Sequence, residues 1–254
     1  MKTKLLGLAV LLLATGSLGA QDFKLNKSSG TLEIRELNNV TIEGYSGNEI
    51  IFSSQTSNRE RDERATGLRA ISNMGLEDNT GLGLSVVDKG NIIEVRQLKK
   101  MDGPNVKIQV PKNVKVAFYH TSPHGHDLEI KDFAGEVEVS SVHTGVVLSN
   151  ATGVINIKTV HGDIDAIFQT EPKSPISIES VHAHVDVTLP ADTKANIKLS
   201  THMGEILVDP SFKIEIEKTG DMVRYSDKVS GKINGGGVAI ELSATHDNIY
   251  LRKK

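Results

Sequence analysis

All nine histidines of this 254-residue chain lie from residue 120 onward: His120, His124, His126, His143, His161, His182, His184, His202 and His246. Neutral imidazole ligates zinc or copper, and its charge changes near pH 6.5. Three of these side chains recur in one register. Val137-Glu138-Val139-Ser140-Ser141-Val142-His143, Ile155-Asn156-Ile157-Lys158-Thr159-Val160-His161 and Ile176-Ser177-Ile178-Glu179-Ser180-Val181-His182 share one pattern: apolar, polar, apolar, polar, Ser/Thr, Val, His. Stacked strands lie about 4.8 Å apart and a Zn–N bond is about 2.0–2.1 Å, so neighbouring rings could share one ion. His143, His161 and His182 are therefore candidate Zn or Cu ligands, with His184 as a fourth donor. The competing reading is a duplicated corner residue whose rings stack and bond loop carbonyls, with no cofactor. His202, one place early in a fourth unit, and His246 extend the same candidate surface.

Carboxylates offer a second chemistry. Asp163 and Asp165 are two residues apart and share a strand face, and Asp186 aligns with Asp165 one unit later. Such pairs serve acid/base hydrolysis of glycosidic bonds or hold Ca²⁺. No Arg or Lys sits beside them in the repeat and the chain has no Trp, so outward-facing acids without a catalytic role are the expectation. Gly235-Gly236-Gly237 lacks the Lys-Ser/Thr of a phosphate loop, Gly81-Leu82-Gly83-Leu84 precedes another strand, and no Gly-x-Ser-x-Gly elbow occurs. No catalytic residue is assigned.

The elements that would carry these groups are strands. Thr31–Ile34, Val40–Glu43, Glu49–Phe52, Asn91–Val95, Val106–Val110 and Val114–Phe118 alternate apolar with polar residues between Gly, Asn, Asp and Pro. The mixed-charge run 58–69 reads as a solvated loop. After each histidine-bearing corner comes a second short strand, at Val146–Leu148, Ile164–Ala166, Val185–Val187, Ile206–Val208 and Ile249–Leu251. A two-strand unit of this length cannot bury its own apolar face, so successive units must stack. The prediction is an all-β, single-domain parallel β-solenoid (β-helix) over residues 21–254, with roughly 20-residue rungs, about eleven of them in a rod of about 50 Å. Terminal rungs would expose strand edges, and the charged tail Arg252-Lys253-Lys254 reads as edge protection.

Composition narrows the partners. There is no cysteine, so no disulfide or thiolate metal site. The chain carries 29 Lys+Arg against 32 Asp+Glu, a net charge of -3, which argues against a nucleic-acid partner. Aromatic residues make up only 4%, too few for a stacking platform. Residues 1–20 read as a signal peptide: basic Met1–Lys4, apolar Leu5–Thr15, then Ser17-Leu18-Gly19-Ala20 as the cleavage site. The mature protein is expected to be periplasmic or extracellular, not a lipoprotein because no cysteine stands at the cut, and without a membrane span after cleavage.

The segment Glu63–Leu84, the Gly162-Asp163-Ile164 and Gly204-Glu205-Ile206 corners, Val187-Thr188-Leu189-Pro190, and the stretch from Asn234 to Lys253 resemble one known family. This is the adhesin-like β-solenoid domain-of-unknown-function family of exported Bacteroidetes proteins. The resemblance covers the mature chain and implies a solenoid without established catalytic residues; histidine here replaces the Asn or Ser expected at the corner. The function expected is non-catalytic: a repetitive surface that binds an envelope protein, a glycan or another copy of the chain. A metal-binding histidine scaffold and a polysaccharide-processing enzyme are the alternatives.

Overall fold

The computed structural model describes residues 22–55, 64, 67–216 and 227–254; the leader and most of the charged run 58–69 lie outside them. Every strand expected above is present, and the described residues form no α-helix. The first part of the chain makes β1 (Asp22–Leu25), β2 (Gly30–Arg35), β3 (Asn39–Tyr45), β4 (Ile50–Ser54), β5 (Leu84–Asp88), β6 (Ile92–Gln97) and β7 (Asn105–Pro111). The repeat region makes β8 (Val114–His120), β9 (Leu128–Lys131), β10 (Val137–Ser141), β11 (Val146–Ser149), β12 (Ile155–Thr159), β13 (Ile164–Ile167), β14 (Ile176–Ser180) and β15 (Val185–Leu189). The last part makes β16 (Ala195–Thr201), β17 (Ile206–Val208), β18 (Ile214–Ile216), β19 (Asp227–Ile233), β20 (Val238–Ala244) and β21 (Ile249–Lys253).

These strands build two mixed sheets. Sheet one has ten strands in the order β1-β4-β7-β3-β9-β11-β13-β15-β21-β17, and sheet two has eleven in the order β18-β19-β16-β20-β14-β12-β10-β8-β2-β6-β5. From β6 to β18 consecutive strands alternate between the sheets, so β8/β9, β10/β11, β12/β13 and β14/β15 are successive parallel rungs. The alternation of the sequence is the cause: in β12 and β14 every second residue is buried, with Ile155, Ile157, Ile176 and Ile178 inward. Facing them from sheet one are Ile164, Ala166, Val185 and Val187, in one continuous core. Each fully buried aliphatic side chain of this kind contributes about 1.5–3 kcal/mol.

Three expectations change at the ends. First, the parallel register is confined to the body of the stack: β4 runs antiparallel on β7 and β1 on β4, β5 on β6, β19 on β16 and β18 on β19. These antiparallel strands occupy most of the edges that a purely parallel stack would expose. Second, rungs do not follow chain order. The rung β2/β3 sits between β6/β7 and β8/β9, and the last rung, β20/β21, sits between β14/β15 and β16/β17. Eight two-strand rungs result among the described residues, spanning about 35 Å at the usual strand spacing.

Third, the tail is not an edge. Leu189 pairs with Lys253 and Ile206 with Ile249, so β21 is interior and Arg252-Lys253 protect nothing. The edges of sheet one are instead β1 and β17, the latter three residues long and flanked by Glu205 and Asp209. A short strand between two acids resists pairing with a second copy of itself.

Candidate functional site

Five corners connecting sheet two to sheet one are four residues long: 142–145, 160–163, 181–184, 245–248 and 202–205. Each begins behind a column of small inward side chains, Ser141, Thr159, Ser180, Ala244 and Thr201. Their hydroxyls satisfy the corner backbone: Ser141 Oγ donates to Thr144 O at 2.6 Å, Thr159 Oγ1 to Gly162 O at 2.6 Å, and Thr201 Oγ1 to Asp247 O at 3.1 Å. Buried carbonyls need such partners. This accounts for the Ser/Thr of the repeated motif, and it asks nothing of the histidine two residues later.

That histidine points to solvent. His143, His161, His182 and His246 are all exposed and form one column. Ring centroids are 5.3 Å apart for His143–His161, 4.8 Å for His161–His182 and 4.5 Å for His182–His246; the first two pairs are stacked and the last is tilted. The fourth member is His246, brought in by the inserted terminal rung, and not His184. His202 falls outside the column: Thr201 pairs with Ala244, so the register sets Met203, 69% exposed, beside His246 at the end of the ladder, with His202 N and Met203 N both bonding Thr245 O.

Rings lying face to face carry their nitrogen lone pairs in parallel planes. Convergence on one ion would require at least one ring to rotate out of the stack. Among the described residues no three His, Asp or Glu side chains converge as a metal site in this conformation.

Protonation acts on the ladder directly. Desolvation first, then the neighbouring His246 and His161, hold the His182 imidazole below its ordinary range. A basic group depressed in the folded state contributes stability that is present above about pH 6.5 and is lost as pH falls through its folded value. The melting temperature should therefore drop between pH 8 and pH 5, and His161→Asn, which removes one neighbouring charge, should lessen that drop. Superimposable pH profiles for the two proteins would reject this account.

His184 belongs to the next column of the same corner edge. Its Nδ1 is 2.9 Å from Asp163 Oδ1 and its Nε2 3.2 Å from Asp165 Oδ1, while Tyr250 meets the ring edge-on at 6.1 Å. Each ring nitrogen thus lies within hydrogen-bond reach of a carboxylate. Asp186 does face an arginine, contrary to the reading of the repeat alone: Arg252 Nε lies 2.8 and 2.9 Å from its two carboxylate oxygens. Arg252 also lies over the Tyr250 ring at 5.1 Å. Asp165 and Asp186 are adjacent in register as expected. The pairing with Arg252 spans 66 residues and depends on the inserted rung.

One histidine escapes this surface entirely. His120 continues the inward Ser/Thr column and is fully buried, between Asn38 Oδ1 at 3.1 Å from Nε2 and Thr144 Oγ1 at 2.7 Å from Nδ1. Burial pushes its ring below the usual imidazole range, against the opposing pull of Glu36. The only hint in the sequence was its position at the end of an alternating strand. His124 and His126 lie exposed on the longer corner before β9.

Alternating strands stacked in two mixed sheets, with repeated polar corners along one edge, define an all-β stacked-rung class of protein. Within that class the chain belongs to the Toastrack DUF4097 family, whose model matches residues 10–252, in agreement with the resemblance carried by its corners and C-terminal stretch. Two solved structures are similar. One is a candidate cell adhesion protein from Clostridium sporogenes, 12% identical with a TM-score of 0.43, the alignment covering 93% of this chain and 100% of that one. The other is a candidate adhesin from Bacteroides fragilis, 10% identical with a TM-score of 0.28, covering 94% and 98%. No curated protein matches the chain.

Proposed function

We propose that this protein is an exported, non-catalytic binding module of adhesin type, a β-solenoid of about 20-residue rungs that meets a component of the cell envelope through its repeated corner edge. The observation that carries the reading is the register of four exposed imidazoles spaced 4.5–5.3 Å apart on that edge. A repeat that copies one exposed side chain into an ordered row makes an extended surface suited to an extended partner. Two further observations favour binding over hydrolysis: Asp163 and Asp165 are both tied to His184, and Asp186 to Arg252. Export rests on the basic start and apolar run of residues 1–20. No helix among the described residues is long and apolar enough to cross a membrane.

The test is retention of the fluorescently labelled protein on intact cells and isolated envelopes. The variant His143→Asn/His161→Asn/His182→Asn/His246→Asn should be retained at least about tenfold less, equivalent to about 1.4 kcal/mol. Equal retention of wild type and variant would sink the reading. Glycan turnover that is lost in Asp163→Asn would replace it with an enzyme.

A further inference from the structure

A second feature of the same corner edge lies toward the N-terminal end of the stack. There the corner between β8 and β9 is longer than the four-residue corners, running from Thr121 to Asp127. It is held inward by Gly125, whose φ is +122° and where a Cβ would meet Asn38 O at 2.4 Å. His126 N bonds the same carbonyl at 3.0 Å. Beyond it, Gly145 leaves room for the Asp127 carboxylate, which accepts from Gly145 N at 3.2 Å. The outcome is an open cleft of about 460 Å³.

The chemistry of its walls is uniform. Asn39, Thr41, Gln55, Asn105, Asp127 and Glu129 line it, with His126 at the rim and Val147 supplying an apolar patch. No Lys or Arg is among the described lining residues, so none of these would hold a phosphate, sulfate or carboxylate. The acids are partly committed already: Glu129 bonds Lys131 at 2.7 Å and Thr41 at 3.2 Å, and Asp127 accepts the backbone bond from Gly145. That leaves few free carboxylate oxygens for a divalent cation, which takes six or more oxygen ligands, waters and carbonyls among them. What remains is carboxamide. Asn39 and Asn105 stand opposite each other in register, and the Asn105 and Gln55 side chains make no hydrogen bond to any described residue. Asn39 Oδ1 is buried without a partner.

We infer that this cleft is a binding site for an uncharged sugar unit of a glycan. Amides both donate to and accept from ring hydroxyls, carboxylates accept from them, and Val147 faces the C–H surface. With no aromatic among the described lining residues, a single unit binds weakly, with a Kd of about 1–10 mM, and retention on a polymer depends on multivalency. The inference rests on the binding reading above and gives it a partner class.

The test is an NMR titration of the ¹⁵N-labelled protein with glucose, N-acetylglucosamine and cellobiose, alongside sodium sulfate and calcium chloride. Saturable amide shifts confined to residues 39–41, 105, 126–129 and 145–147 are expected with at least one sugar. Asn39→Ala/Asn105→Ala should weaken that binding at least about tenfold while leaving the melting temperature unchanged or raised, because Asn39 Oδ1 has no bond to lose. Absence of saturable shifts with all three sugars overturns the inference, as does a response to calcium or sulfate alone. If the cleft fails while cells still retain the protein through the histidine edge, the proposed function survives without it. If sugar binds but cells retain nothing, the site stands and the adhesin reading falls.

Discussion

Gly162→Ala is expected to lower the melting temperature by about 6–12 °C, corresponding to about 3 kcal/mol. Gly162 lies in the corner between β12 and β13, where an added Cβ would come within 2.2 Å of Thr144 O, 2.5 Å of Thr144 C and 2.7 Å of Gly145 N. All three are backbone atoms of the neighbouring rung, so no side-chain rotation relieves the clash. The rungs must part locally, and the bonds from Thr159 Oγ1 and Ser180 Oγ that converge on Gly162 O part with them. His161→Asn is the control. It is one residue away but exposed, and its effect at pH 8 should stay within about 0.5 kcal/mol. A thermal melt of Gly162→Ala indistinguishable from wild type would show that the corner spacing is slack.

Acid should unfold the protein in two stages that begin with His120. The ring is buried and held below the ordinary imidazole range chiefly by that burial, so the folded state binds fewer protons than the unfolded chain. Its contribution to stability is present above about pH 6.5 and is lost as pH falls through the folded value. The groups around it are Asn38, Thr144, Glu36 and the neighbouring His143; Glu36 alone opposes the shift. Glu36 supplies the second stage. Partial burial pushes its carboxyl up, but hydrogen bonds from Thr121 and Ser122 and the nearby His120 outweigh this and leave it below the usual carboxylate range. Its contribution is present above about pH 4.5 and is lost at lower pH. His120→Gln should therefore be less stable than wild type at pH 8 but flatter between pH 8 and pH 5.5. An equal slope for both proteins across that interval, followed by chemical denaturation, would assign the acid sensitivity to the exposed ladder instead.

Much of this was legible in the chain because it is local. Alternation with a period of two placed Ile155, Ile157, Ile176 and Ile178 inward and Lys158 and Glu179 outward. Identical corners at near-constant spacing placed His143, His161 and His182 in one column, and the structure stacks them there. The family, too, was readable from its corners. These features need only backbone geometry and the rule that equivalent positions on stacked strands lie side by side.

What could not be read is everything that depends on which strand finds which edge. His246 joins the ladder, Arg252 reaches Asp186, and Tyr250 covers His184 because β20/β21 slips between β14/β15 and β16/β17. Asn38 meets His120 across 82 residues, and the polar cleft assembles from β3, β7 and the corner before β9. Alternation makes every rung interchangeable to its neighbours, so it specifies a face but not an order. Order is decided by the ends, where unpaired strand edges must be met by whatever chain returns to cover them. Side-chain pattern along the chain thus settled the strands, their inward faces and the histidine column, whereas the partners of the charged residues and the cleft waited on long-range hydrogen bonding between edges.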